Sequence, residues 1–214
     1  MFTGIIQEIG TVAAITKLGG GVRLTVRGPQ SAAELSINDS VAINGVCQTV
    51  VALNGSEFTV EAVEETLKKT TLGNLAANAK VNLELPMKLS DRLGGHLVLG
   101  HVDCTGRVTS IETKTNSRLF TIEIPSHFRH YVIPVGSIAL DGVSLTVARL
   151  DDTLVTVSII PHTDEHTTFQ YLRPGSLVNV EFDMVGKYIE RFLSVKNGTS
   201  PMTMEKLREW GYDG

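Results

Sequence analysis

Two short segments carry side chains that could do chemistry beside glycines. Val41-Ala-Ile-Asn-Gly-Val-Cys-Gln-Thr-Val50 holds a thiol at Cys47, and Ile138-Ala-Leu-Asp-Gly-Val-Ser-Leu-Thr-Val147 holds a hydroxyl at Ser144. A threonine follows two residues on in each (Thr49, Thr146), so both polar groups can share one side of a strand. A cysteine thiolate is a nucleophile, whereas a buried thiol is inert. A third segment, Gly94-Gly-His-Leu-Val-Leu-Gly-His-Val-Asp103, sets His96 and His101 among glycines that permit close backbone approach to a ligand. Histidine suits proton transfer near neutral pH, and spacing alone does not choose between the two.

Other chemistries find few residues. His162-Thr-Asp-Glu-His166 has HxxxH spacing and His127 and His130 are close, but zinc needs three or four convergent ligands, and no metal site is expected. No GxGxxG opens a helix and no GxxxxGK[ST] is present, so phosphate loops lack support. A GxSxG hydrolase elbow is also absent.

The elements that must position these groups come as a repeat. Residues 41–84 align without a gap on 138–181, with 15 identities in 44 positions. Upstream the offset falls from 97 to 96, laying Phe2–Val12 over Val98–Val108. The reading is a first barrel with its linker over 1–96, a second barrel over 97–185, and a helix with a tail over 186–214. Val22–Val26, Val41–Leu53 around Gly45, Phe58–Ala62 and Val81–Leu85 read as strands, with turns at Gly19-Gly-Gly21 and Asn54-Gly55. Several short strands in about 90 residues predict a small closed barrel. A short helix is expected over Val63–Leu75, with Pro161-His-Thr-Asp-Glu as its entry in the second copy. Val185, Tyr188, Ile189, Phe192 and Leu193 make one apolar helical stripe, fit to dock on its own barrel or on other copies. Asn197–Pro201 should break that helix, and Met204, Leu207 and Trp210 predict one more short one.

The copies differ where chemistry could lie. Cys47 is matched by Ser144, Asn44 by Asp141, Ile5 by His101 and Phe2 by Val98, while Ser40 and Ser137 are identical. Such differences fit two related pockets that hold like molecules and treat them differently.

Composition sets the outer bounds. The chain has 214 residues, 42% hydrophobic and 20% charged, which is ordinary globular usage. A net charge of −4 argues against a nucleic-acid or anionic-membrane surface. No apolar run reaches 18 residues, and Met1–Gly10 lacks the pattern of a signal peptide. Cys47 and Cys104 are then expected as free thiols in a cytoplasmic protein.

Met1-Phe-Thr-Gly-Ile5, Asn44–Val50, Gly94–Asp103 and Asp141–Val147, in that order on a tandem repeat, resemble the riboflavin synthase family. The resemblance implies two six-stranded Greek-key barrels, each with a lumazine pocket, and a C-terminal helix used in a homotrimer. It implies dismutation of two molecules of 6,7-dimethyl-8-ribityllumazine into riboflavin and 5-amino-6-ribitylaminouracil, the last step of riboflavin biosynthesis. A four-carbon unit passes between them without metal or redox cofactor, at sites between subunits; lumazine synthase is a possible partner. A non-catalytic lumazine- or flavin-binding protein of the same fold is the alternative, and a small-barrel nucleic-acid binder a more distant one.

Carried over by position, the first pocket would use Gly4, Ile5 and Ile6, then Cys47, Gln48 and Thr49, then Glu61, Ala62, Val63, Glu64, Glu65 and Thr66. The second would use Gly100, His101 and Val102, then Ser144, Leu145 and Thr146, then Ser158, Ile159, Ile160, Pro161, His162 and Thr163. Ser144 and Thr146 would orient one lumazine, Cys47 and Ser40 would line the partner pocket, and His101 would move a proton. Asp141 would tune that network and Phe2 would pack over a ring. Gln48 replaces a leucine common in relatives, and Pro134-Val-Gly136 lacks a usual lysine.

Overall fold

The computed structural model describes residues 1–196 and Arg208, without the side chains of 194–196. The first repeat forms β1 (Glu8–Leu18), β2 (Gly21–Arg27), α1 (Pro29–Glu34), β3 (Ser40–Ile43), β4 (Val46–Asn54), β5 (Glu57–Val63), α2 (Glu64–Lys69) and β6 (Lys80–Glu84). The second forms β7 (Cys104–Thr113), β8 (Arg118–Glu123), β9 (Ser137–Leu140), β10 (Val143–Asp151), β11 (Leu154–Ile159), α3 (Pro161–Glu165) and β12 (Leu177–Phe182). All pairings are antiparallel, and the strands close into two barrels of the same order, β1-β2-β5-β4-β3-β6 and β7-β8-β11-β10-β9-β12. β-branched residues alternating inward make this possible. In β2, Leu24 and Val26 are buried while Arg23 and Arg27 face out to pair with Glu61 and Glu57 on β5.

Strand β1 was not among the expected strands. A bulge between Val12 and Ala14 breaks its alternation, so no period-2 pattern runs through it. The hairpin after β4 turns on Gly55 and Ser56, one residue beyond Asn54-Gly55, because Asn54 itself pairs with Glu57. Helices α2 and α3 fall where expected. Residues 1–183 form one compact unit and α4 (Met184–Lys196) belongs to another. The five stripe residues of α4 are each more than half exposed. The expected break at Asn197–Pro201 and the helix around Met204, Leu207 and Trp210 lie outside the described residues.

Repeat-equivalent residues meet one another, so a local two-fold axis runs between the barrels. Phe2 and Val98 form an antiparallel bridge, with Phe2 N donating to Val98 O at 2.7 Å and Val98 N to Phe2 O at 3.1 Å. The β3–β4 turn at Asn44-Gly45 and the β9–β10 turn at Asp141-Gly142 have positive φ at both positions, the type I′ geometry that Asn-Gly and Asp-Gly favour. The two turns abut: a Cβ on Gly45 would stand 2.5 Å from Gly142 N, so both must be glycine. Asn44 Oδ1 accepts from Asn82 N and Asp141 Oδ1 from Asn179 N, at 2.7 and 2.8 Å. Asn82 Nδ2 donates to Asp141 O, and Asn179 Nδ2 to Asn44 O, across the axis. The same asparagines accept from Thr168 N and Thr71 N. Buried backbone groups on both sides are thereby satisfied, which makes the joint specific as well as polar.

Candidate active site

On each barrel the outer face of one sheet carries the reactive types. Cys47 and Thr49 alternate outward on β4, while Val46, Gln48 and Val50 point inward. Ser40 pairs directly with Thr49 and joins that face. On the second barrel, Ser144 and Thr146 take the equivalent places on β10, with Ser137 opposite Thr146. The β4–β5 ladder stops at Val50–Val60, although β4 begins at Val46 and β5 runs on to Val63. The β10–β11 ladder stops likewise at Val147–Val157. The strands part there, leaving backbone edges at 61–63 and 158–160 beside exposed Glu61, Val63, Ser158 and Ile160. Such a notch offers a ligand apolar side chains and backbone polar groups side by side.

Two straps complete the notches, and they cross. Gly4 O accepts from Ser144 N at 2.8 Å, and Ile6 packs against the second barrel's core. Gly100 O accepts from Cys47 N at 2.9 Å, and Val102 is buried in the first barrel's core. Gly4, Ile5 and Ile6 therefore lie along the second barrel, beside Ser144, and Gly100, His101 and Val102 along the first, beside Cys47. This reverses the assignment made by position. Repeat offsets preserve equivalence but not membership, and the Phe2–Val98 bridge sends each strap to the other barrel. Gly4 and Gly100 both have left-handed φ, and a Cβ on either would strike the Cβ of Ser144 or Cys47 at about 2.5 Å.

Buried carboxylates pin the straps. Glu84 accepts from Thr3 N and Oγ1 and from Gly4 N at 2.6–3.2 Å. Glu181 accepts from Leu99, Gly100 and His101 N at 2.7–3.0 Å. Burial pushes the Glu84 carboxyl above its ordinary value, opposed by the hydrogen bonds from Thr3 and Gly4. Neither glutamate was singled out from sequence. The signal was available: Asn82-x-Glu84 and Asn179-x-Glu181 are identical polar residues inside apolar strands of both repeats.

The imidazole beside Ser144 belongs to His96. Its Nδ1 lies 2.7 Å from Ser144 Oγ, and its backbone N donates to Thr3 O at 3.2 Å. His96 is 9% exposed, and burial lowers its pKa while Asp183 pulls it back up. His101 instead stands exposed on the strap against Cys47.

Several expected side chains do not reach a pocket. Phe2 is 0% exposed, packed with Val98, Ala42, Ala139 and Cys47 between the barrels, so no ring face remains for a ligand. Gln48, Ala62, Val102 and Ile159 are buried inward and Leu145 packs on the second core, leaving only their backbone to a ligand. Asp141 sits in the inter-barrel turn bonded to Asn179 N, not to a histidine. Glu64, Glu65 and Thr66 open α2 directly after β5, and Pro161, His162 and Thr163 open α3 one residue after β11. At the missing lysine, Val135 is 80% exposed with φ 62, a strained place for a β-branched residue.

The family described as Lumazine binding domain matches twice, over residues 3–86 and 99–183. A riboflavin synthase of Actinobacillus pleuropneumoniae is 42% identical over 215 residues, 99% of this chain and 100% of that one. That of Bacillus subtilis (strain 168) is 43% identical, covering 92% of each chain. Among solved structures, LumP complexed with riboflavin superposes with a TM-score of 0.80 at 24% identity, over 85% of this chain and 99% of that one. The chain belongs to the riboflavin synthase family.

Proposed function

We propose that the chain dismutates two molecules of 6,7-dimethyl-8-ribityllumazine, one giving up a four-carbon unit to become 5-amino-6-ribitylaminouracil and the other gaining it to become riboflavin. The observation that carries this reading is the pair of homologous notches with different reactive groups: Ser144, Thr146 and His96 in one, Cys47, Thr49 and His101 in the other. Identical reactants that must behave as donor and acceptor need related but unequal sites. The transfer balances within the two substrates, so no external oxidant or reductant enters. The 7-methyl protons of the lumazine are acidic for a carbon acid, and a neutral His96 held on Ser144 is placed to take one. Holding two rings in register supplies much of the remaining rate.

The donor and acceptor are brought together between subunits of a homotrimer, with the exposed stripe of α4 as the self-association surface. Cys47 and Cys104 as thiols rather than a disulfide are consistent with a cytoplasmic setting, and lumazine synthase is a fitting neighbour. The similarity to LumP favours one competing reading, a lumazine- or flavin-binding protein without turnover. Incubating the purified chain with the lumazine alone separates them. One riboflavin for every two lumazines consumed is the expected result; tight binding without product would establish the binding protein instead.

A further inference from the structure

Arg118 and Asp164 form an ion pair with no counterpart at the equivalent positions of the first repeat, where Val22 and Leu67 stand. Arg118 Nη1 donates to both carboxylate oxygens of Asp164, at 2.6 and 2.8 Å, and the two side chains are 23% and 18% exposed. The guanidinium also lies 4.8 Å from the Phe120 ring centroid, and Phe120 meets Phe169 edge-on at 5.0 Å. Arg118 is the ladder partner of Ile159, the last residue of β11 before the chain turns into α3. The ion pair therefore ties β8 to α3 at the bend that presents Ser158 and Ile160. In the first repeat, Val22 and Leu67 pack as half-buried apolar residues, and clefts of about 570 and 510 Å³ open along Val22 and α2.

We infer that Arg118 and Asp164 are positioning residues for the Ser144 pocket: the pair latches α3 to β8 and fixes that pocket's wall, which the Cys47 pocket leaves adjustable. A half-buried, stacked Arg–carboxylate pair holds geometry better than an exposed one, because less is lost to solvent and to side-chain motion. The inference rests on the functional reading above, in that the two notches must take lumazine.

The test uses the full chain and 6,7-dimethyl-8-ribityllumazine. Total binding is counted by equilibrium dialysis, and occupancy of the Cys47 pocket is read as protection of Cys47 from iodoacetamide. Arg118→Met is expected to weaken one of two sites about tenfold and to raise KM about tenfold with kcat within threefold. The lumazine concentration that half-protects Cys47 should stay within twofold. The reversed pair, Arg118→Asp with Asp164→Arg, should bring KM back to within threefold of the original. If Arg118→Met does not fold, Asp164→Asn keeps the shape and should raise KM about threefold. An unchanged KM overturns the inference. So does a Cys47 protection curve that moves in step with total binding, since that would be general loosening. A wild-type chain that binds no lumazine overturns the functional reading itself, whereas two sites unaffected by either variant overturn the latch alone.

Discussion

Replacing His96 by Gln lowers kcat for lumazine dismutation about 100-fold and leaves lumazine binding within about threefold. A positioned general base contributes roughly 10²–10⁴ in rate. His96 holds that position through its 2.7 Å contact with Ser144 Oγ and its backbone bond to Thr3 O. Glutamine keeps the bulk and a hydrogen bond to Ser144 but cannot carry the proton. Burial holds the imidazole below its ordinary 6.5, partly offset by Asp183, so the neutral form persists into mildly acidic solution. The acid limb of the wild-type kcat–pH profile should therefore have its midpoint below 6.5 and should be absent from the variant. Steady-state kinetics with a parallel binding titration read both quantities. Equal losses of binding and turnover would make His96 a packing residue. Because His96 and Ser144 act through one contact, adding Ser144→Ala to the variant should cost much less than Ser144→Ala costs alone.

Asp141→Asn stabilises the fold at pH 8, by about 1–3 kcal/mol. Burial pushes the Asp141 carboxyl up to about 7 from an ordinary 3.8, against the hydrogen bond from Asn179 N. The folded state then holds the proton more tightly than the unfolded one. Its contribution is full below about 4, is lost as pH rises toward 7, and is gone at pH 8. Three pH units correspond to about 4 kcal/mol, a ceiling that relaxation around the charge reduces. An amide suits the site, because Asn44 fills the equivalent turn and accepts from Asn82 N in the same way. Denaturant unfolding at pH 5 and pH 8 should show the variant gaining at pH 8 and the fall in stability between these values flattening. Glu84, also raised by burial, leaves a residual dependence of the same sign. A variant less stable than wild type at pH 8 would mean that the carboxylate is bound as a charge.

Much of this architecture is legible in the residues. The repeat, the barrel strands with regular alternation, the α2 and α3 entries and the stripe from Val185 to Leu193 are all local patterns with one physical cause. Strand β1 is hidden by its bulge, which costs the alternation a step. The chemistry of the pockets is legible as residue types at short range: Cys47 with Thr49, Ser144 with Thr146. Their completion is not, because it depends on segments far away in sequence, about 50 residues for Gly100 and Cys47 and about 140 for Gly4 and Ser144, crossing between barrels. Ile5 and His101 occupy equivalent places in the repeat, yet each sits on a strap bonded to the opposite barrel beside its reactive residue. Local pattern could not separate His96 from His101; the 2.7 Å contact does. Phe2 misleads for a related reason. The resemblance implies that it packs over a ring, but the Phe2–Val98 bridge draws it into the joint between the barrels.

A crystal structure of the chain with 6,7-dimethyl-8-ribityllumazine shows whether the straps complete the pockets of the opposite barrels. The crossing requires, within one subunit, one lumazine against Ser144, Thr146, His96 and Ile5, and a second against Cys47, Thr49 and His101. A lumazine bounded within one subunit by Ser144 together with His101, or by Cys47 together with Ile5, would contradict the crossing.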